Sequence, residues 1–186
     1  MPRLPLLEER LPRRCPPSLL HPPLSATQRI HIAIGATKGL LHLHTPNSLT
    51  LKPEMIHRDI KSANILLDDN FNAIICDTGL AREQDSGYSM TAGAGSRGYI
   101  DPIYDDTGVF TTGSDVFSLG VVFLELVTGV KAFDQTEKIP RLFKRALKRG
   151  LPSPDARAGF TEEQAAALGE LALKCVTGDE RDDLAD

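Results

Sequence analysis

Apolar side chains recur at three- and four-residue steps in several stretches of this 186-residue chain, which is the spacing of one face of an α-helix. The first such stretch follows a capping box formed by Ser25 and Gln28, and the predicted helix extends to about His44. Its expected buried stripe consists of Ile30, Ala33, Ile34, Thr37 and Leu41.

The most apolar part of the chain lies between about residues 112 and 127, where nearly every helical face is apolar. A helix of that kind is expected at the centre of the core, and Gly129 is expected to end it. Two further helical patterns follow. They are an amphipathic helix over 138–148 and a helix that opens at a capping box over 161–164 and extends to about Val176.

Strand signals are few and short. Residues 65–67 and 73–76 are apolar runs joined by a polar turn, which predicts a β-hairpin. Residues 82–98 hold four glycines and many hydroxyl side chains, which predicts a long loop. The expected fold is therefore mainly α with one small hairpin. Its expected divisions are a Pro- and Arg-rich lead-in over 1–24, a folded body over 25–178 and an acidic tail over 179–186.

The amino-acid composition limits the classes of protein to which this chain can belong. Apolar residues make up 41% of the chain, charged residues 25%, and the net charge is −4. These values are typical of a globular protein, and without a basic surplus nucleic-acid binding is not expected. Three cysteines, Cys15, Cys76 and Cys175, exclude a disulfide framework and suit a reducing compartment. No apolar run approaches the ~20 residues of a membrane span and no signal peptide is recognisable, so a cytoplasmic location is expected.

The residues with the clearest chemistry lie between His57 and Asn64, in the order H-R-D-I-K-S-A-N. Asp77 follows eighteen residues after Asp59. Asp and Asn supply the oxygen ligands that Mg²⁺ prefers, and a carboxylate can orient a hydroxyl and accept its proton. A nearby lysine, here Lys61, can offset charge on a transferred phosphoryl group. The combination predicts phosphoryl transfer.

Four segments in order resemble the protein kinase family. Residues 57–64 resemble the catalytic loop, with an Asn five residues after the Asp, and residues 77–82 resemble the metal-binding D-F-G segment. Residues 95–102 look like the end of an activation segment, and residues 114–122 are similar to the central helix of the kinase C-lobe. The wording of the catalytic loop is closest to the Pelle, interleukin-1-receptor-associated and plant receptor-like serine/threonine kinases. The resemblance covers roughly residues 6–176 and implies a protein-kinase-like C-lobe.

The resemblance also implies a role for each motif residue in an enzyme that uses ATP and Mg²⁺ to phosphorylate a protein. Asp59 would be the catalytic base, and Lys61 would contact the γ-phosphate, which is the serine/threonine-kinase pattern. Asn64 and Asp77 would hold Mg²⁺ and, with Lys61, bind the nucleotide. The residues that would support the loop are His57 and Asp115.

Regulation is implied by Arg58, which in the family binds a phosphorylated residue of the activation loop. The candidates for that residue are Ser86, Tyr88, Ser89 and Thr91. The protein substrate cannot be read from the chain. The same resemblance allows the parent protein to be the cytoplasmic part of a receptor.

Several departures from the family pattern bear on activity. No G-x-G-x-x-G loop and no V-A-I-K lysine precedes Asp59, so we expect the family's N-lobe to be absent from this chain. Thr78 stands in place of the D-F-G phenylalanine. Ile103 replaces a glutamate that normally pairs with a C-terminal arginine, for which Arg181 is the candidate. We therefore expect weak or no activity from this chain alone. The alternative is a kinase remnant that binds a protein partner on an exposed apolar face near Leu66, where the N-lobe would lie.

A remote alternative comes from Asp77-Thr78-Gly79, since apolar-apolar-Asp-Thr-Gly is also the active-site signature of aspartic proteases. The apolar pair before it, Ile74 and Ile75, fits that signature, whereas Leu80 does not. A protease of that class would also be mostly β-strand. The helical patterns of this chain therefore favour the kinase interpretation.

Overall fold

The computed structural model describes residues 22–83, 95–132 and 154–177, together with the backbone of the strand residues 4–5, 133–134 and 137–138. The α-helices of these residues are α1 (Ala26–His44), α2 (Pro102–Thr107), α3 (Thr112–Thr128) and α4 (Glu162–Thr177). The strands are β1 (Leu4–Pro5), β2 (Met55–Ile56), β3 (Ile65–Leu67), β4 (Ala73–Ile75), β5 (Arg82–Glu83), β6 (Phe133–Asp134) and β7 (Glu137–Lys138). The prediction of a mainly α fold is confirmed.

Helix α3 lies at the centre of the core. Thirteen of its residues are buried, and Val121, Val122 and Leu124 are fully inaccessible to solvent. The helix ends where Gly129 adopts a left-handed conformation with φ of 68°, which glycine reaches without steric cost. The predictions of a central helix and of its end are both confirmed.

Helix α4 packs along α3 and begins at its predicted capping box. Gly120 of α3 makes the close approach possible, because a Cβ atom there would lie 2.5 Å from Cβ of Cys175. Any side chain larger than hydrogen at this position would push the two helices apart.

Helix α1 also begins at its predicted capping box. Its predicted buried stripe is wrong in part, because Ile34 is 50% and Leu41 63% exposed. The side chains that are buried instead are Ala26, Arg29, Ile32, Ala33, Ala36 and Leu40. Small residues on this helix let β4 approach, since a Cβ atom on Gly39 would lie only 3.2 Å from Cδ1 of Ile75.

The short strands pair in three antiparallel sheets. The predicted hairpin of β3 and β4 is confirmed, and β1 adds a third strand at its outer edge, with Pro5 opposite Leu66. Strand β5 pairs with β2, where Met55 lies opposite Glu83. Residues 82 and 83 were expected in a loop, so this pairing corrects the prediction there.

The predicted helix over 138–148, from residue 139 onward, and the predicted acidic tail lie outside the described residues. No helix in the described part of the chain is both long enough and apolar enough to cross a membrane.

Candidate active site

The catalytic-loop segment is fastened to the central helix by one carboxylate. Asp115, 1% exposed near the start of α3, accepts hydrogen bonds from the backbone N–H groups of His57 at 2.7 Å and Arg58 at 2.9 Å. Nε2 of His44, on α1, lies 2.9 Å from the same carboxylate. Arg58 has a φ of 72°, a left-handed conformation that is unusual for a side-chain-bearing residue. The buried carboxylate therefore holds a strained turn directly before Asp59.

A closed ring of polar contacts surrounds the Asp59 carboxylate. Lys61 Nζ donates to Oδ2 of Asp59 at 2.7 Å, and Ser96 Oγ donates to Oδ1 at 2.8 Å. Lys61 Nζ also donates to Ser96 Oγ at 2.9 Å, which closes the ring. The amide nitrogen of Asn64 contacts Asp59 as well, at 2.8 Å from its backbone oxygen and 3.2 Å from Oδ2. Three predicted site residues therefore converge, and Ser96 joins them from the segment after residue 95.

The pKa of Asp59 lies below its ordinary value. Burial alone would raise this pKa, but the hydrogen bonds from Lys61, Ser96 and Asn64, with the charge of Lys61, outweigh burial. Asp59 is therefore ionised at neutral pH, which is the form that can orient a hydroxyl and accept its proton. The Lys61 side chain is 24% exposed, so its cation borders solvent where a phosphate would approach.

The backbone directly before Asp77 is hydrogen-bonded to the catalytic loop. The N–H of Cys76 donates to the backbone oxygen of Asn64 at 2.9 Å, and Nε2 of His57 lies 3.0 Å from the backbone oxygen of Cys76. Asp77 adopts a left-handed conformation with φ of 63° and ψ of 55°, and its side chain is exposed. Thr78, in the turn that follows, is also exposed and does not pack in the core.

The oxygen atoms present suit Mg²⁺. Asn64 uses its amide nitrogen for Asp59, so its side-chain oxygen is the atom that would bind a cation, and Asp77 would add a carboxylate. Within the described residues, no group of three or more His, Cys, Asp and Glu side chains is placed to hold a metal ion. Phosphate and water oxygens would have to complete the coordination, and this is how Mg²⁺ is usually bound in nucleotide sites.

Arg58, the predicted phosphate ligand, is only 6% exposed. Its guanidinium lies 5.3 Å from the centre of the Phe110 ring, within the range of a cation–π contact. The residues predicted as its phosphorylated partners, Ser86, Tyr88, Ser89 and Thr91, lie outside the described residues.

Sequence reasoning missed four residues that the fold brings to the site. Ser96 completes the Asp59 ring and His44 contacts Asp115, while the half-buried Tyr99 donates to the buried Glu125. Ser96 and Tyr99 lay within the segment that resembles an activation segment, but nothing in their local pattern indicated a partner. His44 was predicted only as the approximate end of α1.

Comparison with known proteins agrees with this geometry. A family model described as "Protein kinase domain" matches residues 19–182. The chain belongs to the protein kinase family. Among curated relatives from Arabidopsis thaliana, this kinase is 46% identical over 190 residues to the proline-rich receptor-like protein kinase PERK13, covering 92% of the chain and 26% of the relative. It is 35% identical over 186 residues to the probable serine/threonine-protein kinase PBL11, covering 93% of the chain and 46% of the relative.

The predicted likeness of this kinase to plant receptor-like kinases is therefore confirmed. A further relative from the same plant, the putative proline-rich receptor-like protein kinase PERK11, is 41% identical over 171 residues, covering 83% of the chain and 23% of the relative. The kinase thus spans less than half the length of each of these three relatives. The aspartic protease alternative receives no support from the family match.

Proposed function

We propose that this chain is the C-lobe of a serine/threonine protein kinase whose complete form transfers the γ-phosphoryl group of ATP to a Ser or Thr of a protein substrate. The observation that carries the proposal is the ring at Asp59, in which Lys61 and Ser96 each lie within 2.9 Å of their partners. The ring brings a carboxylate and a cation side by side, and this arrangement supports a role in phosphoryl transfer.

In this mechanism Asp59 orients the substrate hydroxyl and accepts its proton as the oxygen attacks phosphorus. Lys61 stabilises negative charge on the oxygens of the transferred group. Asn64 and Asp77 would hold Mg²⁺, and the bound ion would neutralise charge on the phosphates. Asp115 holds the loop in position by accepting hydrogen bonds from two of its backbone N–H groups.

The isolated 186-residue chain is expected to be weak or inactive. Phosphoryl transfer depends mainly on positioning, and the residues of the Asp59 ring can hold the nucleotide from one side only. Orientation contributes on the order of 7–11 kcal/mol in favourable cases. Losing half of that slows the reaction by roughly three decades, at about 1.36 kcal/mol per tenfold.

The test is transfer from radiolabelled ATP to a mixed set of protein substrates in the presence of Mg²⁺. It compares this chain with the longest product of its gene, each alongside its Asp59→Asn variant. We expect background signal from the chain alone. If a longer product carries the nucleotide-clamping segments, we expect transfer that the substitution abolishes. Transfer that survives Asp59→Asn would refute the assignment of the base, and strong transfer by the chain alone would refute the positioning argument.

A second function, the binding of a protein partner, is favoured by the surface around Asp77. Leu80 is 42% exposed and Thr78 is exposed, while Leu66 in the adjoining hairpin is half-buried. These residues lie on the face that an N-lobe would cover. If this face docks a partner, the chain should associate or bind a hydrophobic dye at high concentration, and Leu80→Ser should reduce both. A chain that stays monomeric and binds no dye would contradict the proposal.

A further inference from the structure

A buried line of hydroxyl and carboxyl groups joins the catalytic loop to the central helix. Ser62 Oγ lies 2.9 Å from the hydroxyl of Tyr99, which donates to Oε1 of Glu125 at 2.8 Å. The N–H of Ala132 donates to the same oxygen at 2.7 Å. Ser62 is 7% exposed and Glu125 is 1% exposed. The Tyr99 hydroxyl therefore bridges Ser62 and Glu125.

The same tyrosine is held at its backbone. Ser118 Oγ, on α3, donates to the backbone oxygen of Tyr99 at 2.8 Å. The N–H of Tyr99 donates to the backbone oxygen of Ser96 at 3.0 Å, so the two residues share one tight turn. Beside them, a Cβ atom on Gly98 would lie 2.9 Å from the backbone oxygen of Ala132. This segment therefore packs closely against the residues that follow α3. The position of Tyr99 therefore fixes the position of Ser96.

Ser62 closes this arrangement from the side of the catalytic loop. It directly follows Lys61, which contacts Ser96 and Asp59. The catalytic loop and the segment after residue 95 thus meet twice, once through Lys61 and Ser96 and once through Ser62 and Tyr99. Two separate contacts between the same two segments define both their distance and their relative orientation, which one contact cannot do.

We propose that Ser62 is a positioning residue, whose hydroxyl holds Tyr99 against Glu125 and so places Ser96 on Asp59 and Lys61. The effect of Ser62 on catalysis rests on the proposed function. The contacts that Ser62 makes do not depend on that function. Alanine at position 62 would fit the same space and remove the hydrogen bond between Ser62 and the Tyr99 hydroxyl. Threonine at position 62 would keep the hydroxyl.

The first test uses the full chain labelled with 3-fluorotyrosine, read by fluorine NMR. The chain has three tyrosines, Tyr88, Tyr99 and Tyr104, and each signal can be assigned by its Phe variant. We expect Ser62→Ala to shift the Tyr99 signal while Tyr104 stays unchanged, and Ser62→Thr to restore the original position. An unchanged Tyr99 signal in Ser62→Ala would overturn the proposal.

The second test measures amide hydrogen exchange across residues 95–101. We expect about tenfold faster exchange of the Tyr99 amide in Ser62→Ala. Tyr99→Phe removes the contact with Ser62 together with the contact with Glu125, so adding Ser62→Ala to Tyr99→Phe should cause no further increase. Thr37→Ala, which removes an exposed hydroxyl on α1, should leave these amides unchanged. Additive effects in the double variant would overturn the proposal. If Ser62→Ala does not fold, Ser62→Cys takes its place with the same outcomes.

A third measurement separates this inference from the proposed function. In any product of the gene that transfers phosphoryl groups, Ser62→Ala should lower kcat about tenfold with little change in the KM for ATP, and Ser62→Thr should recover it. A kcat equal to that of the unmodified protein would overturn the catalytic part of the inference. If no product transfers phosphoryl groups, the proposed function fails, while the NMR and exchange results still decide whether Ser62 positions this segment.

Discussion

Replacing Glu125 with Gln should make this kinase domain more stable above neutral pH. The Glu125 carboxyl is 1% exposed, and its Oε2 atom has no hydrogen-bond partner. Burial raises its pKa from the ordinary 4.5 to about 7, although the hydrogen bonds from Ala132, Tyr99 and Ser62 and the charge of Lys131 act in the opposite direction. The folded protein therefore keeps a proton on Glu125 that the unfolded chain releases.

The sign and size of the effect follow from proton linkage. Between pH 4.5 and about 7 the folded state binds more protons on Glu125 than the unfolded state does, so the free energy of unfolding falls as the pH rises. Above about pH 7 both states are ionised and the loss is complete. At about 1.36 kcal/mol for each pH unit that separates the two pKa values, the loss is on the order of 3 kcal/mol.

Glutamine has nearly the same shape and carries no charge at any pH, and its amide oxygen can accept from both Tyr99 and Ala132. We expect Glu125→Gln and the unmodified chain to have similar stabilities at pH 5. At pH 8 the variant should be more stable by about 3 kcal/mol. The assay is urea unfolding followed by circular dichroism at several pH values between 5 and 8.

The exposed Glu170 provides the control, since Glu170→Gln on the surface of α4 should leave the pH dependence unchanged. The reasoning is refuted if Glu125→Gln follows the same pH dependence as the unmodified chain. It is also refuted if the variant is less stable at pH 8, because that would mean that the charge on Glu125 contributes to folding.

The two arginines that contact Asp155 should differ widely in their contribution to stability. Arg29 is 5% exposed, pairs with Asp155 at 2.6 Å and donates to two backbone oxygens, so Arg29→Met should cost about 3–5 kcal/mol in thermal unfolding. The Arg157 side chain is 45% exposed and Arg157→Met should cost less than about 1 kcal/mol; equal losses would contradict the argument. An alanine at position 120 would collide with Cys175, so Gly120→Ala should lower the free energy of unfolding by about 1–3 kcal/mol. Urea unfolding measures this change. An unchanged midpoint would contradict the argument, because it would show that α4 shifts without cost.

The fold could be predicted where the hydrophobic pattern of one short stretch leaves a single choice. Helix α3 is apolar on nearly every side, so it must be buried whichever way it turns, and its prediction did not depend on identifying its neighbours. Helix α1 offers a choice of faces. The packing favours the face with Ala33 and Ala36, because small residues there let α1 approach its neighbours, and it leaves Ile34 and Leu41 in contact with solvent. Residue hydrophobicity alone does not indicate which face finds a partner.

The residues of the candidate site also fall into two groups, those that a local motif identifies and those that only the folded chain brings together. Asp59, Lys61 and Asn64 lie within six residues of one another, so a motif can identify them. Ser96 reaches Asp59 across 37 residues and Glu125 reaches Tyr99 across 26. Each of these contacts exists only because α3 and the segment after residue 95 pack together. A hydroxyl or a carboxyl in isolation has no local signature of such a partner.

The proline in the outermost strand limits how the small sheet can grow. Among the described residues, strand β1 covers the outer edge of β3 and forms the boundary of the sheet, with Pro5 opposite Leu66. Proline has no N–H to offer a further strand, and an exposed boundary strand is otherwise a template on which a second chain can assemble. The edge of the sheet that carries Pro5 is therefore poorly suited to pairing with a strand of a second chain. This lowers the tendency of the hairpin next to the catalytic loop to form fibrils through that edge.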